Sequence, residues 1–258
     1  MSSNPSSPPT PPRRAPRRAA AKPLRAMPRQ LREPNYERGG LRAALVEEGR
    51  RMFEENGAKE LSLRELARRL GVSEAAPSRH FKGKEELLAA IANSGFEELA
   101  GQRKQLAALQ LDALSKAREM MLSYVRYGQT HAGLFDLMTG PRLLQEFVRG
   151  DVEGTSNISY AYFSDSVFAL AVESGWPQDQ LHLLSHAAWS MEHGLAALIL
   201  AGRIPRTDSG LDTLPMIAFA IDLFLAAVVQ GPDAFARMRE RIVHVAPLPG
   251  APGLEESA

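Results

Sequence analysis

The stretch from Ser62 to Lys84 constrains the fold more than any other part of the chain, because it predicts two short helices joined by a tight turn. Ser62, with Glu65 three residues later, is the pattern of a capping box at a helix start, and Gly71 predicts where that helix ends. The apolar residues between them recur at helical spacing: Leu63, Leu66, Ala67 and Leu70.

The second helix of this stretch is predicted from a different set of signals. We expect Val72 to fill the angle between the two helices, Ser73 to be the N-cap of the second, and Phe81 to anchor its far end. A helix-turn-helix of this kind places its second helix in the major groove of DNA. The stretch therefore predicts a DNA-binding motif over residues 62–81.

Composition excludes several other classes of protein. The chain of 258 residues is 44% hydrophobic and 24% charged, which is typical of a globular protein with one or two domains. It contains no cysteine, so disulfides and thiolate metal sites are excluded. The first forty residues lack the apolar core of a signal peptide, and the apolar run from Ile217 to Val229 is interrupted by Asp222. We expect a cytoplasmic protein with no membrane partner.

Charge is distributed unevenly along the chain. Residues 1–38 carry a net charge of +7, residues 39–88 carry +1, and the remainder carries −7. The first segment is rich in proline and arginine, and we expect it to be disordered. Its arginines can lie along a minor groove of DNA, or the segment can be only a solubilising tail, and the sequence leaves both alternatives open.

Beyond the motif, every apolar pattern is helical and none alternates with the period of a strand, so the predicted fold class is all-α. We expect a helix from about Leu41 to Asn56, and a long helix that begins at Lys84. The predicted domains are a helix-turn-helix domain over 39–98, a regulatory and dimerisation domain over 99–242, and a disordered tail over 243–258. Within the second domain, glycines and prolines separate helices predicted near 112–130, 132–138, 141–148, 156–174, 177–201, 211–230 and 233–243.

This order of parts resembles the TetR family of transcriptional regulators. The resemblance is carried by Leu41-Arg42, by Gly57, by Ser62-x-Arg64-x-x-Ala67, by Gly71-Val72-Ser73, by Arg79-His80-Phe81 and by Lys84-Glu85-Glu86-Leu87-Leu88. Ala75-Ala76-Pro77, Tyr124-Val125-Arg126, residues 133–138 and the spaced set Trp189, His193 and Gly194 further resemble a subgroup with a Trp-His-Gly signature in its C-terminal domain.

The resemblance implies roles for individual residues of the motif. Ser62 and Arg64 match positions that hold DNA phosphates, as do Ser78, His80 and Lys84, and we expect Ser73 to contact DNA as well. Glu74, Ala75, Ala76 and Arg79 match positions that face base edges, where arginine recognises guanine. This chain departs from the family in having Ser78 where most members have tyrosine. Pro77 predicts a helix that begins tightly or late.

The resemblance also implies a ligand cavity and a dimer. We expect a small apolar or aromatic effector to bind among Tyr124, Phe135, Met138, Phe163, Trp189 and His193, although such stripes more often form plain core. The last two long helices carry small residues that allow close approach of a second copy: Gly194, Ala196, Ala197, Ala218, Ala220, Ala226 and Ala227. The expected protein is a homodimeric repressor that binds a palindromic DNA site.

Other hypotheses remain at this point. His182, His186 and His193 share a helical face and suggest a metal site or a helical enzyme, but two imidazoles one turn apart are an incomplete ligand set. We find no nucleophile with its base and no phosphate loop, so we expect neither catalysis nor a cofactor. A third hypothesis is an architectural protein that binds all DNA sequences alike through its basic arm.

Overall fold

The computed structural model describes residues 40–56, 61–140, 151–203 and 213–242. The predicted arm over 1–38, the predicted helix at 141–148 and the predicted tail over 243–258 lie outside these residues. Within the described part every regular element is a helix, which confirms the all-α class. The domain boundaries stay a prediction.

Ten α-helices follow one another along the described chain. Their bounds are α1 Gly40–Asn56, α2 Leu63–Arg69, α3 Ala76–His80, α4 Lys84–Ala108, α5 Ala113–Thr130, α6 Ala132–Thr139, α7 Asp151–Glu173, α8 Leu181–Leu200, α9 Thr213–Val229 and α10 Gly231–Arg239, with a short 3-10 turn at Gln178–Gln180 before α8. The predicted long helix from Lys84 thus extends to Ala108.

The start and end of α2 follow the predicted chemistry, with one difference. The Ser62 hydroxyl accepts a hydrogen bond from the backbone N–H of Glu65 at 3.3 Å, and Gly71 adopts the left-handed conformation that ends the helix, with φ +67°. The carboxylate of Glu65, however, accepts bonds from Arg68 and Arg69 instead of returning to the backbone of Ser62. Only half of the predicted capping box is therefore formed.

The second helix of the motif begins later than the Ser73 cap predicts, so that part of the prediction is wrong. Residues 74 and 75 form a turn in which the Ala76 N–H bonds to the Ser73 carbonyl at 2.9 Å, and α3 starts at Ala76. The cause is Pro77, which has no N–H to donate and tolerates only the first positions of a helix. The late start that Pro77 predicts is confirmed.

Two hydrophobic cores lie along the long helix α4 and its neighbours. The first joins the motif to the helices from α5 onward, which we call the body. Its buried members include Leu45, Leu66, Phe81, Leu87, Ile91, Leu134 and Phe135. The second fills the body between α5, α7, α8 and α9, and includes Met120, Phe163, Leu181, Ile221 and Leu225. A small satellite of Ala67, Val72 and Ala76 fills the angle between α2 and α3, as predicted for Val72.

Polar contacts and one close approach also connect α1, α4 and the body. Arg50 of α1 pairs with Glu98 of α4, and His131, which precedes α6, contacts Glu54 of α1 with Nδ1 2.8 Å from Oε1. On α4, Gly95 lies so close to α6 that an added methyl would be 2.5 Å from Met138 Sδ. The position of α6 is therefore coupled to the helices that carry the motif.

No single helix in the described ranges is long and apolar enough to cross a membrane, and only the pair α9 and α10, bent by 101°, reaches that length and composition together.

Candidate DNA-reading and ligand sites

The outer surface of the turn and α3 presents most of the residues predicted to contact DNA. Ser73, Glu74, Ala75, Ser78 and Arg79 are exposed, and His80 and Lys84 are half-buried. Ser62 and Arg64, at the start of α2, are exposed as well. The late start of α3 therefore leaves nearly all of the predicted set accessible.

Ala76 is the exception, and its predicted role in facing a base is wrong. Its methyl is only 2% exposed and packs with Ala67 and Val72 between the two helices. Because α3 begins at Ala76, the helix rotates this side chain into the motif's own core.

Two charged residues of the motif, one at each helix, form an ion pair with each other. Arg64 Nε lies 3.3 Å from Glu74 Oε2, and both side chains are largely exposed, at 83% and 71%. Arg64, the predicted phosphate contact, and Glu74, the predicted base contact, thus form one ion pair in the absence of DNA. Because both side chains are exposed to water, this ion pair is weak and easily broken.

Arg69 connects α2 to α1 through ion pairs, a role that the sequence did not predict. It contacts Glu65 on its own helix, and it reaches Glu48 at 3.3 Å and Glu55 at 2.7 Å on α1. Hydrogen bonds from Arg68 and then from Arg69 lower the pKa of the Glu65 carboxyl to about 2. These contacts fasten α2 to α1 and leave Arg68 as the exposed cation of the pair.

The body contains a cavity of about 380 Å³ bordered by α4, α5, α6, α7 and α8. Four of the six residues predicted for the effector line it: Tyr124, Met138, Trp189 and His193. The described residues that complete its wall are Phe96, Leu99, Arg103, Thr139, Ser156, Asn157, Ser159, Tyr160 and His186. A volume of this size is typical of small-molecule sites.

The other two predicted residues lie behind the wall, so their predicted role in lining the cavity is wrong. Phe135 is 1% exposed and packs edge-on against Tyr124, with ring centroids 5.1 Å apart. Phe163 is fully buried and lies against Tyr160 and the guanidinium of Arg103. Both belong to the aromatic core that supports the lining residues.

A buried ion pair beside the cavity was missed by the sequence analysis. Arg103 of α4 and Glu192 of α8 are 2% and 0% exposed, and Arg103 Nη2 donates to Glu192 Oε1 at 2.8 Å. Arg103 Nη1 lies 3.3 Å from the Ser159 carbonyl of α7. A signal was present in the sequence: Arg103 is four residues after Leu99 on the buried stripe of α4, and Glu192 is four residues before Ala196 on that of α8.

The electrostatics of this region follow from burial. Desolvation raises the pKa of the Glu192 carboxyl to about 7, although Arg103 acts in the opposite direction. Burial also lowers the pKa of His193, which keeps its imidazole neutral, and raises that of Tyr124. The Tyr124 hydroxyl and His193 Nδ1 are 2.9 Å apart, so the neutral pair is held by a hydrogen bond.

The histidines of α8 do not converge. His186 Nδ1 donates to the backbone carbonyl of His182 at 2.7 Å, while His193 turns to Tyr124. Across the described part of the chain, no group of three or more histidine or acidic side chains is arranged to hold a metal ion.

An apolar face covers the outside of α8 and α9. Large side chains on it are open to solvent: Leu183, Leu198, Leu214, Phe219, Leu223 and Val229. Ala196, which was expected on this face, is instead buried inside the subunit at 1% exposure. Large apolar side chains left open to solvent on neighbouring helices often mark a protein interface.

Comparison with known proteins places the motif in a family. Residues 45–91, from within α1 to within α4, match the model of bacterial regulatory proteins of the tetR family. The chain therefore contains a TetR-type N-terminal domain. No curated protein matches the sequence.

Solved structures extend the similarity to the helical body. A protein with unknown function from Rhodococcus sp. RHA1 is 28% identical, with a TM-score of 0.64 over 77% of this chain and 100% of its own. The regulator SCO7222, a TetR from Streptomyces coelicolor, is 19% identical, with a TM-score of 0.55 over 74% of this chain and 99% of its own. The TetR family regulator PfmR from Thermus thermophilus is 21% identical, with a TM-score of 0.50 over 70% of this chain and 97% of its own. The fold is thus that of TetR regulators, with a helix-turn-helix domain and a helical C-terminal domain.

Proposed function

We propose that this chain is a homodimeric transcriptional regulator that binds a palindromic DNA site through α2 and α3 and is released from it by a small molecule bound in the cavity of the body. The observation that carries the DNA-binding part is the exposed face of α3, with Arg79 outward, in a domain that matches the tetR family model. Repression is the expected sign of control.

The length of α3 supports a dimer. The helix has five residues, and a single bidentate base contact contributes roughly 1–3 kcal/mol of discrimination, so one copy cannot select a genomic site. Two copies joined through the apolar face of α8 and α9 would present two reading helices related by a twofold axis, and the matching DNA site is a palindrome.

The contacts of α6 support a connection between the cavity and the motif. Met138 of α6 lines the cavity and packs on Gly95 of α4, while His131, just before α6, bonds to Glu54 of α1. A ligand that moves Met138 therefore acts on both helices that hold the motif. The subunits would then favour a spacing that no longer fits two half-sites.

Selection from random DNA duplexes tests the proposal. The full chain, at physiological salt, should enrich one sequence with twofold symmetry, and its affinity for that sequence should exceed its affinity for unrelated DNA by at least about 10³-fold. Enrichment of no palindrome, with similar affinity for every sequence, would favour an architectural protein instead.

A further inference from the structure

Arg103 places a charged group on the wall of a cavity that is otherwise apolar or neutral. It lies on the wall of the cavity, its side chain is 2% exposed, and its guanidinium is held between the rings of Tyr124 at 5.2 Å and Phe163 at 5.1 Å. A guanidinium is a cation, so this wall of the cavity carries a positively charged group, whose buried counter-ion is Glu192.

The hydrogen bonds of Arg103 are incomplete. The group has five N–H donors, but Nε has no partner among the described residues, and neither has the second carboxylate oxygen of its counter-ion, Glu192 Oε2. A buried polar atom without a partner lowers stability, and such atoms in native proteins commonly mark the place of a water, an ion or a ligand. The Arg103 guanidinium is therefore short of an acceptor.

The rest of the wall is apolar or neutral. Phe96, Leu99, Met138 and Trp189 supply apolar surface, and His193 is kept neutral by burial. None of the described residues that line the cavity is an aspartate or a glutamate. A cationic ligand would find no carboxylate on the cavity wall, whereas an anionic one would find the Arg103 guanidinium, whose counter-ion Glu192 does not line the cavity.

We propose that the cavity binds a small organic acid, with its carboxylate on the Arg103 guanidinium and an aromatic or branched apolar body against Phe96, Leu99, Met138 and Trp189. This inference rests on the proposed function in one respect, because it names the chemical class of the effector. It refines the apolar effector expected from the sequence to an amphipathic acid.

Glu192 is then the competitor of the ligand for Arg103. Two carboxylates on one guanidinium repel each other, so binding of the acid favours the protonated form of Glu192, which burial already makes accessible. Replacing this carboxyl by an amide keeps an acceptor for Arg103 and removes the competing charge.

Calorimetric titration of the full chain at pH 7, without DNA, tests the assignment with matched probes. The probes are phenylacetate and 2-naphthylacetate, the two corresponding amides, and the two corresponding primary amines. We expect the better carboxylate to bind at least tenfold more tightly than its amide, because a charge-assisted hydrogen bond is stronger than a neutral one, and the amines to bind more weakly still. Equal binding of an amide or amine, or no carboxylate with a Kd below millimolar, would overturn the proposal.

Variants distinguish the effect of the Arg103 charge on ligand binding from its effect on folding. Glu192→Gln should bind the carboxylate as tightly as the natural chain or more tightly. The double variant Arg103→Met with Glu192→Gln removes both buried charges, so it should fold, and it should bind carboxylate and amide alike. Arg126→Met, which removes an exposed arginine that does not line this cavity, is the matched control and should change nothing. A double variant that keeps the preference for the carboxylate would overturn the role of Arg103.

The titration separates the inference from the proposed function. If the carboxylate binds as expected but does not change the affinity for the selected DNA, the proposed ligand class is supported and the proposed release from DNA is contradicted. If DNA is released by a neutral ligand while carboxylates do not bind, the proposed function stands and the inference fails.

Discussion

Arg64 and Glu74 form an ion pair between the two helices of the helix-turn-helix, with Arg64 Nε 3.3 Å from Glu74 Oε2. One residue lies in the first turn of α2 and the other in the turn before α3, so the pair bridges the two parts of the motif that are expected to meet DNA. Both groups are exposed, and the attraction between them is therefore weak enough for DNA phosphates to compete.

Removal of the carboxylate should free Arg64 for DNA. We expect Glu74→Gln to increase affinity for random duplexes and to make the salt dependence steeper by about one phosphate contact, while preference at one base pair per half-site falls. The measurement is the slope of the logarithm of the binding constant against that of the salt concentration. Glu173→Gln, at the far end of α7, is the control. A uniform loss of affinity for all sequences would contradict this role of Glu74.

The contact between α4 and α6 should tolerate no added atom at Gly95. Because a methyl there would lie 2.5 Å from Met138 Sδ and 3.1 Å from Leu134 Cδ2, Gly95→Ala should lower the free energy of unfolding by about 1–3 kcal/mol. Gly101→Ala, on the same helix with open space around it, should instead raise that free energy by roughly 0.5–1 kcal/mol. Urea unfolding of both variants checks the contrast, and an equal effect of the two would argue against the close packing of α6.

Glu192 predicts an unusual dependence of stability on pH. Burial raises its pKa from 4.5 to about 7, so the folded chain binds the proton more tightly than the unfolded chain does, and this group's contribution to stability falls as pH rises through that interval. Glu192→Gln cannot titrate. We expect its stability relative to the natural chain to rise between pH 5 and pH 8, on the order of 2 kcal/mol. A relative fall over the same interval would show that the attraction of Arg103 outweighs the burial of the carboxylate.

The apolar face of α8 and α9 should hold the dimer together. Phe219 on this face is 69% exposed in the single subunit, and a charge placed there would lie unpaired in the interface. Sedimentation should show a dimer for the natural chain and a monomer for Phe219→Glu at micromolar concentration. Leu114→Glu, at an exposed leucine of α5, is the matched control and should remain dimeric. A dimer that survives Phe219→Glu would place the interface elsewhere.

Local signals in the sequence predicted the helices well, and side-chain direction less well. Gly71, Ser62 and Pro77 act on the backbone within one or two turns, so their effects on α2 and α3 could be derived from the sequence. The burial of Ala76 depends on where α3 starts, and a shift of a few residues in that start turns a predicted base contact into core.

At the ligand cavity, too, the sequence predicted some of the lining residues and could not predict the direction of other side chains. Tyr124, Met138, Trp189 and His193 were predicted because the family resemblance implies a ligand between the helices that carry them. Phe135 and Phe163 were predicted on the same ground, yet they lie behind the wall. Arg103 and Glu192 are 89 residues apart in the chain, and only the packing of α4 against α8 brings them together. Contacts between distant helices of this kind cannot be derived from periodicity.

Base-by-base affinity measurements with Arg79→Ala and Lys84→Ala test most directly whether the exposed face of α3 reads base edges. The DNA is the palindrome selected by the natural chain, with every single base-pair change in one half-site. Arg79→Ala should abolish the preference at one base pair per half-site, which is roughly 1–3 kcal/mol, and Lys84→Ala should weaken binding to all sequences alike. An Arg79→Ala variant that keeps the natural preference at every base pair would contradict the reading of base edges by α3.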